Sequence, residues 1–207
     1  SGFEVIHGIV DSLWLKKEKA TCEEYNRLCD KIGKCVGVPI NFEGGYRWIV
    51  FLPSKMHPRL GVMNRYFGVL EDGTIKVRGL DLRRRDTPGF VLGAQRDMLD
   101  VLGFANNRLE VYSQIPRVLD VVREYRRKLL DGNVSLSDLI VTKNLSKNPR
   151  RYKQQVSQLI AAKQLMGEGA EINAGSNIRF LFTDVKDKRP ERRVRAAQLV
   201  EKNTSPD

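Results

Sequence analysis

The chain has 207 residues, with 36 Lys or Arg against 25 Asp or Glu, and its formal net charge is +11. A basic surface of this size favours a polyanionic partner, and nucleic acid is the commonest one. The sequence contains no apolar run near the roughly 18 residues that a membrane helix needs, so we expect no transmembrane helix. An acidic membrane is the rival partner, but no segment clearly has the form of a basic amphipathic helix, so we expect no membrane partner. The length and the 41% hydrophobic content indicate one large domain or two small ones.

The cysteines are Cys22, Cys29 and Cys35, and none lies in Cys-x-x-Cys spacing or beside a histidine. An odd number without such spacing argues against both a disulfide framework and a zinc site. We therefore expect reduced cysteines in the core of a cytoplasmic protein.

The first elements are two extended runs joined by a tight turn. β-Branched residues in segment 5–10 and the apolar segment 13–15 are typical of strands, with Asp11-Ser12 between them. A hairpin that presents Asp11 on a rigid sheet is a suitable position for a ligand of a hard cation. An aspartate is also common in turns for local hydrogen-bonding reasons, so the hairpin alone leaves both interpretations open.

A helix and further strands follow. Thr21 and Glu24 form a capping box that predicts a helix, which Gly33 or Gly37 would end. Extended segments are predicted at 46–52 and 66–70, and the turn at 71–73 leads into a hairpin strand at 74–77. Residues 1 to about 86 thus read as a mostly antiparallel sheet with at least one helix.

The hydrophobic period changes from about residue 91. Apolar spacing predicts helices over 92–102, over 115–129 with Pro116 in the first turn, and over 152–163. Short strands are predicted at 171–172 and 178–182. The predicted fold class is therefore α+β, with a β-rich first part and a helix-rich second part.

Basic residues are concentrated in two places. Arg78 and Arg83-Arg84-Arg85 follow the second hairpin, and segment 123–163 holds ten Lys or Arg against three Asp or Glu. A single run of this kind is usually a solvated face. Two basic clusters beside a metal-binding acid are instead what phosphoryl-transfer chemistry requires.

An ordered series of motifs resembles the C-terminal part of archaeal family B DNA polymerases. Segment 7–12 is similar to that family's Tyr-Gly-Asp-Thr-Asp-Ser motif and matches at Gly8, Asp11 and Ser12, whereas Ile9 replaces its first aspartate. Further similar segments are Glu43-Gly44-Gly45-Tyr46, Asn64-Arg65-Tyr66, Arg78-Gly79-Leu80-Asp81, Arg84-Arg85-Asp86, Tyr152-Lys153 and Ala161-Ala162-Lys163, with Gly169, Gly175 and Ile178.

The resemblance implies an antiparallel palm-type sheet with helices over residues 1–88, followed by a mainly helical thumb over 89–207. It implies a DNA-directed DNA polymerase that uses two Mg²⁺ ions. Asp11 would be the catalytic metal ligand, and Glu43 is a further acid of the palm pattern, with a solvated turn glutamate as the other interpretation. The implied contacts to primer–template DNA are Arg65, Tyr66, Arg78, Arg84, Arg85, Tyr152, Lys153 and Lys163, although Tyr66 and Tyr152 also suit a core and Lys163 a surface.

The family's second metal-binding aspartate, its nucleotide-binding fingers and its proofreading domain have no counterpart in these 207 residues. We therefore expect either a small subunit that acts with a large polymerase subunit and a dNTP, or a fragment of a longer polymerase. Two alternatives stay open at this point. One is a catalytically inactive polymerase-like subunit that binds DNA or acts as a scaffold. The other is an unrelated basic nucleic-acid-binding protein without a palm-like sheet.

Overall fold

The structure is a computed structural model that describes residues 2–204. The residues at 1 and 205–207, which the predicted palm and thumb include, lie outside this range. The chain divides into two compact units. The first contains the residues through Arg83 together with Met98–Leu119, and the second contains Arg84–Asp97 together with the residues from Asp120 onward.

The predicted hairpin and capped helix are confirmed in the first unit. Strands β1 (Glu4–Ile9) and β2 (Ser12–Lys16) pair antiparallel. Helix α1 (Cys22–Val36) begins at the Thr21–Glu24 capping box, in which both reciprocal hydrogen bonds form. Gly37 ends it in a left-handed conformation with φ 71°, a conformation that glycine adopts without a Cβ penalty.

A second antiparallel sheet has the order β3-β4-β5. Its strands are β3 (Tyr46–Pro53), β4 (Gly61–Leu70) and β5 (Ile75–Arg78). The predicted hairpin across residues 71–73 is confirmed, while β4 begins earlier than the sequence indicated. In the described part of the chain this sheet is separate from β1-β2, so the first part holds two sheets and not one.

The core of the first unit is small. It contains the buried residues Trp48, Val69 and Ala105, with flanking apolar side chains packed against them. The Trp48 indole Nε1 donates a hydrogen bond of 2.9 Å to the Ala105 carbonyl, so the polar atom of this buried ring has a partner.

Two helices follow β5 in the chain: α2 (Gly89–Gly103) and α3 (Arg108–Leu130). The prediction that Pro116 opens the second of these helices is wrong, because α3 begins eight residues earlier and contains Pro116 in its interior. The Asn107 side-chain oxygen accepts a 3.0 Å hydrogen bond from the Glu110 amide near the start of the helix. Asparagine is a common residue at this position of a helix, but the prediction placed the start at Pro116.

The second unit combines its helices with a sheet, of which the sequence predicted only one strand. It contains an antiparallel sheet of order β6-β7-β8. Its strands are β6 (Val141–Asn144), β7 (Asn177–Phe182) and β8 (Val194–Ala196), and its helices are α4 (Ser157–Gly167) and α5 (Ala197–Thr204). The predicted strand at 178–182 is confirmed as part of β7, but residues 171–172 form no strand and α4 begins at Ser157 and not near residue 152.

Helices α4 and α5 pack on this sheet around an apolar core. Its fully buried members include Leu145, Ile178, Phe180 and Val194. The Gln164 side chain also joins α4 to β8: its Nε2 donates to the Val194 carbonyl at 2.9 Å, and its Oε1 accepts from the Ala196 amide at 2.8 Å.

The three cysteines are free thiols. The expectation that they lie in the core is wrong, because Cys22 and Cys35 are exposed and Cys29 is only partly buried. None of the helices in residues 2–204 is long and apolar enough to cross a membrane.

Candidate functional site

Asp11 lies at the tip of the first hairpin, in the turn between β1 and β2, and its side chain is exposed. The Ser12 hydroxyl donates a long hydrogen bond of 3.4 Å to Asp11 Oδ1. The neighbouring Val10 is also fully exposed. The structure therefore holds the predicted carboxylate on a strand-to-strand turn where a cation could approach it.

Four aromatic rings attach this hairpin to strands β3 and β4. The His7 ring centroid lies 4.3 Å from that of Phe51, and the Trp14 ring is edge-on to Tyr66 at 5.2 Å. Phe51 and Tyr66 are 5.7 Å apart. Because two-stranded hairpins alone are only marginally stable in water, we assign the support of the Asp11 turn to this aromatic cluster of His7, Trp14, Phe51 and Tyr66.

Tyr66 is only 3% exposed, which limits its predicted role as a DNA contact. Its ring packs on Trp14 and Phe51. The structure therefore favours the alternative interpretation of Tyr66 as a core aromatic. Tyr152 is partly buried as well: it packs against the core of the second unit, and its hydroxyl lies 3.3 Å from that of Ser146.

Glu43, the second acid predicted for the palm, is paired with a lysine. Its carboxylate accepts a hydrogen bond from the Lys76 ammonium group. This hydrogen bond is the main reason that the pKa of Lys76 is raised above its ordinary value. Among residues 2–204, no group of three or more His, Cys, Asp or Glu side chains could hold a metal ion.

The predicted DNA contacts Arg65 and Arg78 lie on the neighbouring strands β4 and β5, beside a turn in which Gly79 has a positive φ. Both side chains are exposed, and Arg65 Nε donates to the Gly79 carbonyl at 3.3 Å. Gly79 has φ +68°, and a Cβ there would lie 2.1 Å from the Asn64 carbonyl oxygen. Only glycine fits this position, which gives a physical reason for the Arg-Gly pair in the sequence motif.

Arg84 and Arg85 are exposed, and Arg84 is held by Asp86. Arg84 Nε and Nη2 donate to the two carboxylate oxygens of Asp86 at 3.0 and 2.9 Å. This hydrogen bonding is the main cause of the lowered pKa of Asp86. Lys143 Nζ lies 3.5 Å from the same carboxylate. Within the basic segment 123–163 sequence reasoning did not single out Lys143, because its proximity to Asp86 arises only from the fold.

The remaining predicted contacts lie in the second unit. Lys153 is exposed just after a short 3₁₀ helix (Pro149–Arg151), which Asn148 caps by accepting a 3.1 Å bond from the Arg150 amide. Lys163 is exposed on α4. Pro149 is buried and Tyr152 packs on the core, so the exposed basic side chains between them extend from an anchored segment.

Comparison with known proteins gives the family. The family model described as DNA polymerase family B matches residues 1–206. The chain belongs to DNA polymerase family B. This family membership overturns the alternative of an unrelated basic nucleic-acid-binding protein.

Two similar proteins are archaeal DNA polymerases. The chain is 28% identical over 181 residues to the DNA polymerase of Archaeoglobus fulgidus, a match that covers 87% of this chain and 21% of that protein. It is 27% identical over 182 residues to DNA polymerase 2 of Aeropyrum pernix, covering 88% of this chain and 20% of that protein. The chain thus spans about a fifth of the length of these curated relatives.

The fold is similar to that of the family B DNA polymerase from the hyperthermophilic archaeon Pyrobaculum calidifontis. The TM-score is 0.66 at 25% identity, and the match covers 100% of this chain and 24% of that chain. The mixed fold with antiparallel sheets and helices is therefore confirmed as a family B polymerase fold.

Proposed function

We propose that this chain is the C-terminal palm and thumb part of a DNA-directed DNA polymerase, with the palm over residues 1–88 and the thumb from residue 89. The remaining palm, the fingers and the exonuclease part would be on a large subunit or on the rest of a longer chain. The assembled enzyme would act on primer–template DNA and dNTPs in the cytoplasm. Membership of DNA polymerase family B supports this proposal.

The observation that carries the catalytic role is the position of Asp11 on a hairpin supported by aromatic packing. A two-ion polymerase site places the ions about 3.5–4 Å apart and needs carboxylates to bridge them. When bound, Mg²⁺ neutralises the triphosphate and lowers the pKa of the primer 3′-hydroxyl. Asp11 fits as one oxygen ligand of such a site, and we expect the rest of the palm to supply the other carboxylates.

Within this chain, the residues around Asp11 serve to place its carboxylate. The aromatic cluster holds the hairpin on the second sheet, and Ser12 donates to one carboxylate oxygen. A rigid support matters because displacing a metal ligand by about an ångström can reduce the rate about a hundredfold. Glu43 is better suited to fixing Lys76 than to binding metal.

The exposed cations would hold the duplex. The predicted cations that are exposed would contact DNA phosphates, and so would Tyr152, which lies between exposed basic residues. These residues are Arg65, Arg78, Arg84, Arg85, Tyr152, Lys153 and Lys163. Contacts to phosphates carry no sequence information, and they suit an enzyme that must move along any template. Tyr66 would instead contribute indirectly, through the support of the hairpin.

The catalytic proposal is tested by reconstitution. Tagged chain would be purified from its source cells with the polypeptide that accompanies it, and dNTP incorporation on a primed template measured with Mg²⁺. Asp11→Asn is expected to reduce the rate by about a hundredfold or more, because a neutral amide is a poor ligand for a hard cation. Glu18→Gln removes an exposed carboxylate in the same unit and is the matched control. An unchanged rate for Asp11→Asn would contradict the proposal.

The duplex role needs a separate test, which does not depend on catalysis. The affinity of the chain for a primed duplex is measured over a range of KCl concentrations. We expect a steep loss of affinity with salt, and a shallower loss after Arg84→Ala with Arg85→Ala. Affinity that is flat with salt and indifferent to both substitutions would remove the thumb assignment.

A further inference from the structure

The turn between β3 and β4 exposes two large apolar side chains. This turn is the segment 54–60, which we call the β3-β4 tip. Met56 is 85% exposed and Leu60 is 63% exposed. A single exposed apolar residue needs no explanation, but these two share one short turn with the exposed cations Lys55 and Arg59. The β3-β4 tip thus presents apolar and basic side chains together.

Backbone hydrogen bonds organise the β3-β4 tip. The Ser54 amide donates to the Leu60 carbonyl at 2.8 Å, and the Leu60 amide donates to the His57 carbonyl at 2.9 Å. The Ser54 hydroxyl oxygen accepts bonds from the Met56 and His57 amides at 3.2 and 3.3 Å. A turn that is already ordered loses less conformational freedom when it binds a partner.

The β3-β4 tip is joined to the part of the first unit that supports Asp11. A Cβ at Gly61, the first residue of β4, would lie 2.8 Å from the Cβ of Phe51. Phe51 belongs to the aromatic cluster under the Asp11 turn. Arg65 lies five residues beyond Leu60 on β4, or about 17 Å at about 3.3 Å per residue. One turn of duplex DNA is about 34 Å long, so a duplex bound at Arg65 extends far enough to meet the tip.

The charge of the whole β3-β4 hairpin has one sign. Segment 44–70 contains four Lys or Arg and no Asp or Glu, although the chain has 25 acidic residues. No carboxylate of this segment therefore repels an approaching anion. A surface patch with cations alone favours a polyanionic partner.

The shape of the exposed side chains suits the minor groove of DNA. That groove is about 6 Å wide, whereas the major groove is about 12 Å wide and takes a whole helix or ribbon. An unbranched methionine can enter the narrow groove, and proteins that bind there often insert Met or Leu between the phosphate backbones. Lys55 and Arg59 lie on both sides of Met56 in the sequence, where they can reach those phosphates.

We propose that the β3-β4 tip binds the minor groove of the primer–template duplex, with Met56 entering the groove and Lys55 and Arg59 contacting the phosphates beside it. This inference rests on the proposed binding of primer–template DNA and adds a contact surface to it. An acidic membrane offers similar chemistry. The position of the tip on the same strand pair as Arg65 favours DNA.

The first test measures fluorescence anisotropy of a primed DNA duplex with the full chain over a range of KCl concentrations. Met56→Gln is expected to lower the affinity by about fivefold or more at every salt concentration. The slope of log affinity against log salt should stay unchanged, because the thioether carries no charge. Leu109→Gln, at a residue of the same unit that is 79% exposed, is the matched control and should bind like the wild type.

The second test concerns the cations. Lys55→Gln with Arg59→Gln should reduce the salt slope by about 1.8, since each phosphate contact contributes about 0.9. Lys31→Gln with Lys34→Gln removes two exposed charges of the same unit and is the control. It should change the slope much less. All four residues are exposed, so circular dichroism should show unchanged unfolding temperatures.

The third test identifies the groove. Netropsin, a small molecule that occupies the minor groove of A·T-rich DNA, should weaken wild-type binding to an A·T-rich primed duplex. Its effect on Met56→Gln should be at most half as large. Equal effects on the two proteins, or no effect on the wild type, would overturn the minor-groove contact.

The remaining outcomes separate this inference from the proposed function. If the wild-type chain shows no salt-dependent duplex binding, the proposed function fails and this inference fails with it. If the wild type binds but Met56→Gln matches Leu109→Gln, this inference alone is overturned. Unchanged DNA affinity of Met56→Gln together with Met56-dependent binding to phosphatidylserine–phosphatidylcholine vesicles would overturn it in favour of a membrane contact.

Discussion

The two units of the molecule bury apolar residues very differently. The second unit has a closed core in which Phe180 is fully buried between a sheet and two helices. The first unit has a small core around Trp48, and its β1-β2 hairpin exposes Val5, Ile6, Val10 and Leu13. The candidate metal ligand thus lies on the less buried element. We conclude that apolar core packing is the main stabilising contribution in the second unit. In the first unit, aromatic contacts and glycine-dependent turns hold the strands in place.

The largest effect expected from this comparison is the truncation of Phe180. Phe180→Ala should lower the free energy of unfolding by about 3–5 kcal/mol, because it removes a buried ring and leaves a cavity. Leu13→Ala on the exposed hairpin should change it by less than about 0.5 kcal/mol. Urea unfolding monitored by circular dichroism measures both. Equal effects of the two substitutions would contradict the contrast between the units.

The second prediction concerns the turn at Gly79. Gly79→Ala should cost about 2–4 kcal/mol, because the new Cβ meets both a positive φ and the Asn64 carbonyl oxygen at 2.1 Å. Gly132→Ala is the matched control, since Gly132 has φ +72° with nothing within 4 Å. It should cost only about 1–2 kcal/mol. If both variants lower the midpoint urea concentration by the same amount, the clash with the Asn64 carbonyl does not contribute and the steric explanation is wrong.

The third prediction concerns Gln164, which joins α4 to β8. Gln164→Leu should cost about 1–3 kcal/mol, because the Ala196 amide loses its acceptor and two carbonyls lose a donor. Gln158→Leu on the same helix is the control and should have a small effect. Thermal unfolding of the two variants checks this. A neutral Gln164→Leu would mean that water replaces the amide in this position.

The smallest expected effect is the loss of stability at alkaline pH when Tyr125 ionises. The Tyr125 hydroxyl donates a 2.7 Å hydrogen bond to Asp97, and this bond is the main cause that raises the pKa of Tyr125 to about 12. The folded state therefore favours neutral Tyr125. Its contribution to stability is complete below the ordinary tyrosine pKa of about 10 and is lost as the pH rises from there through about 12.

Unfolding temperatures between pH 9 and about 12 test this linkage. Tyr125→Phe should be less stable than wild type at pH 9 and should lose less stability as the pH rises. Tyr112→Phe, on the same helix, should follow the wild-type curve. A Tyr125→Phe curve parallel to that of the wild type would contradict the assigned hydrogen bond.

The parts of the fold that sequence predicted correctly are those with local causes. The Thr21–Glu24 capping box and the turn at 71–73 act within a few residues, so their signals are complete in the sequence. Strands β6 and β8 have only four and three residues, too few to show an alternating pattern. They form because α4 and α5 cover their sheet.

The features of the candidate site also divide into those with local sequence signals and those that depend on tertiary structure. The sequence motifs predicted Asp11 and Arg84 as site residues. The ion pair between Glu43 and Lys76, the burial of Tyr66 and the approach of Lys143 to Asp86 instead arise from tertiary structure. No spacing along the chain encodes them.

The most direct test of the central claim is the position of the metal ions in the assembled enzyme. Crystals of the chain with the polypeptide that completes the polymerase, primed duplex and incoming nucleotide would be soaked in Mn²⁺, and its anomalous scattering recorded. We predict an ion bound directly by an Asp11 carboxylate oxygen, at about 2.1 Å. Ions bound elsewhere, with Asp11 pointing into solvent, would contradict the account.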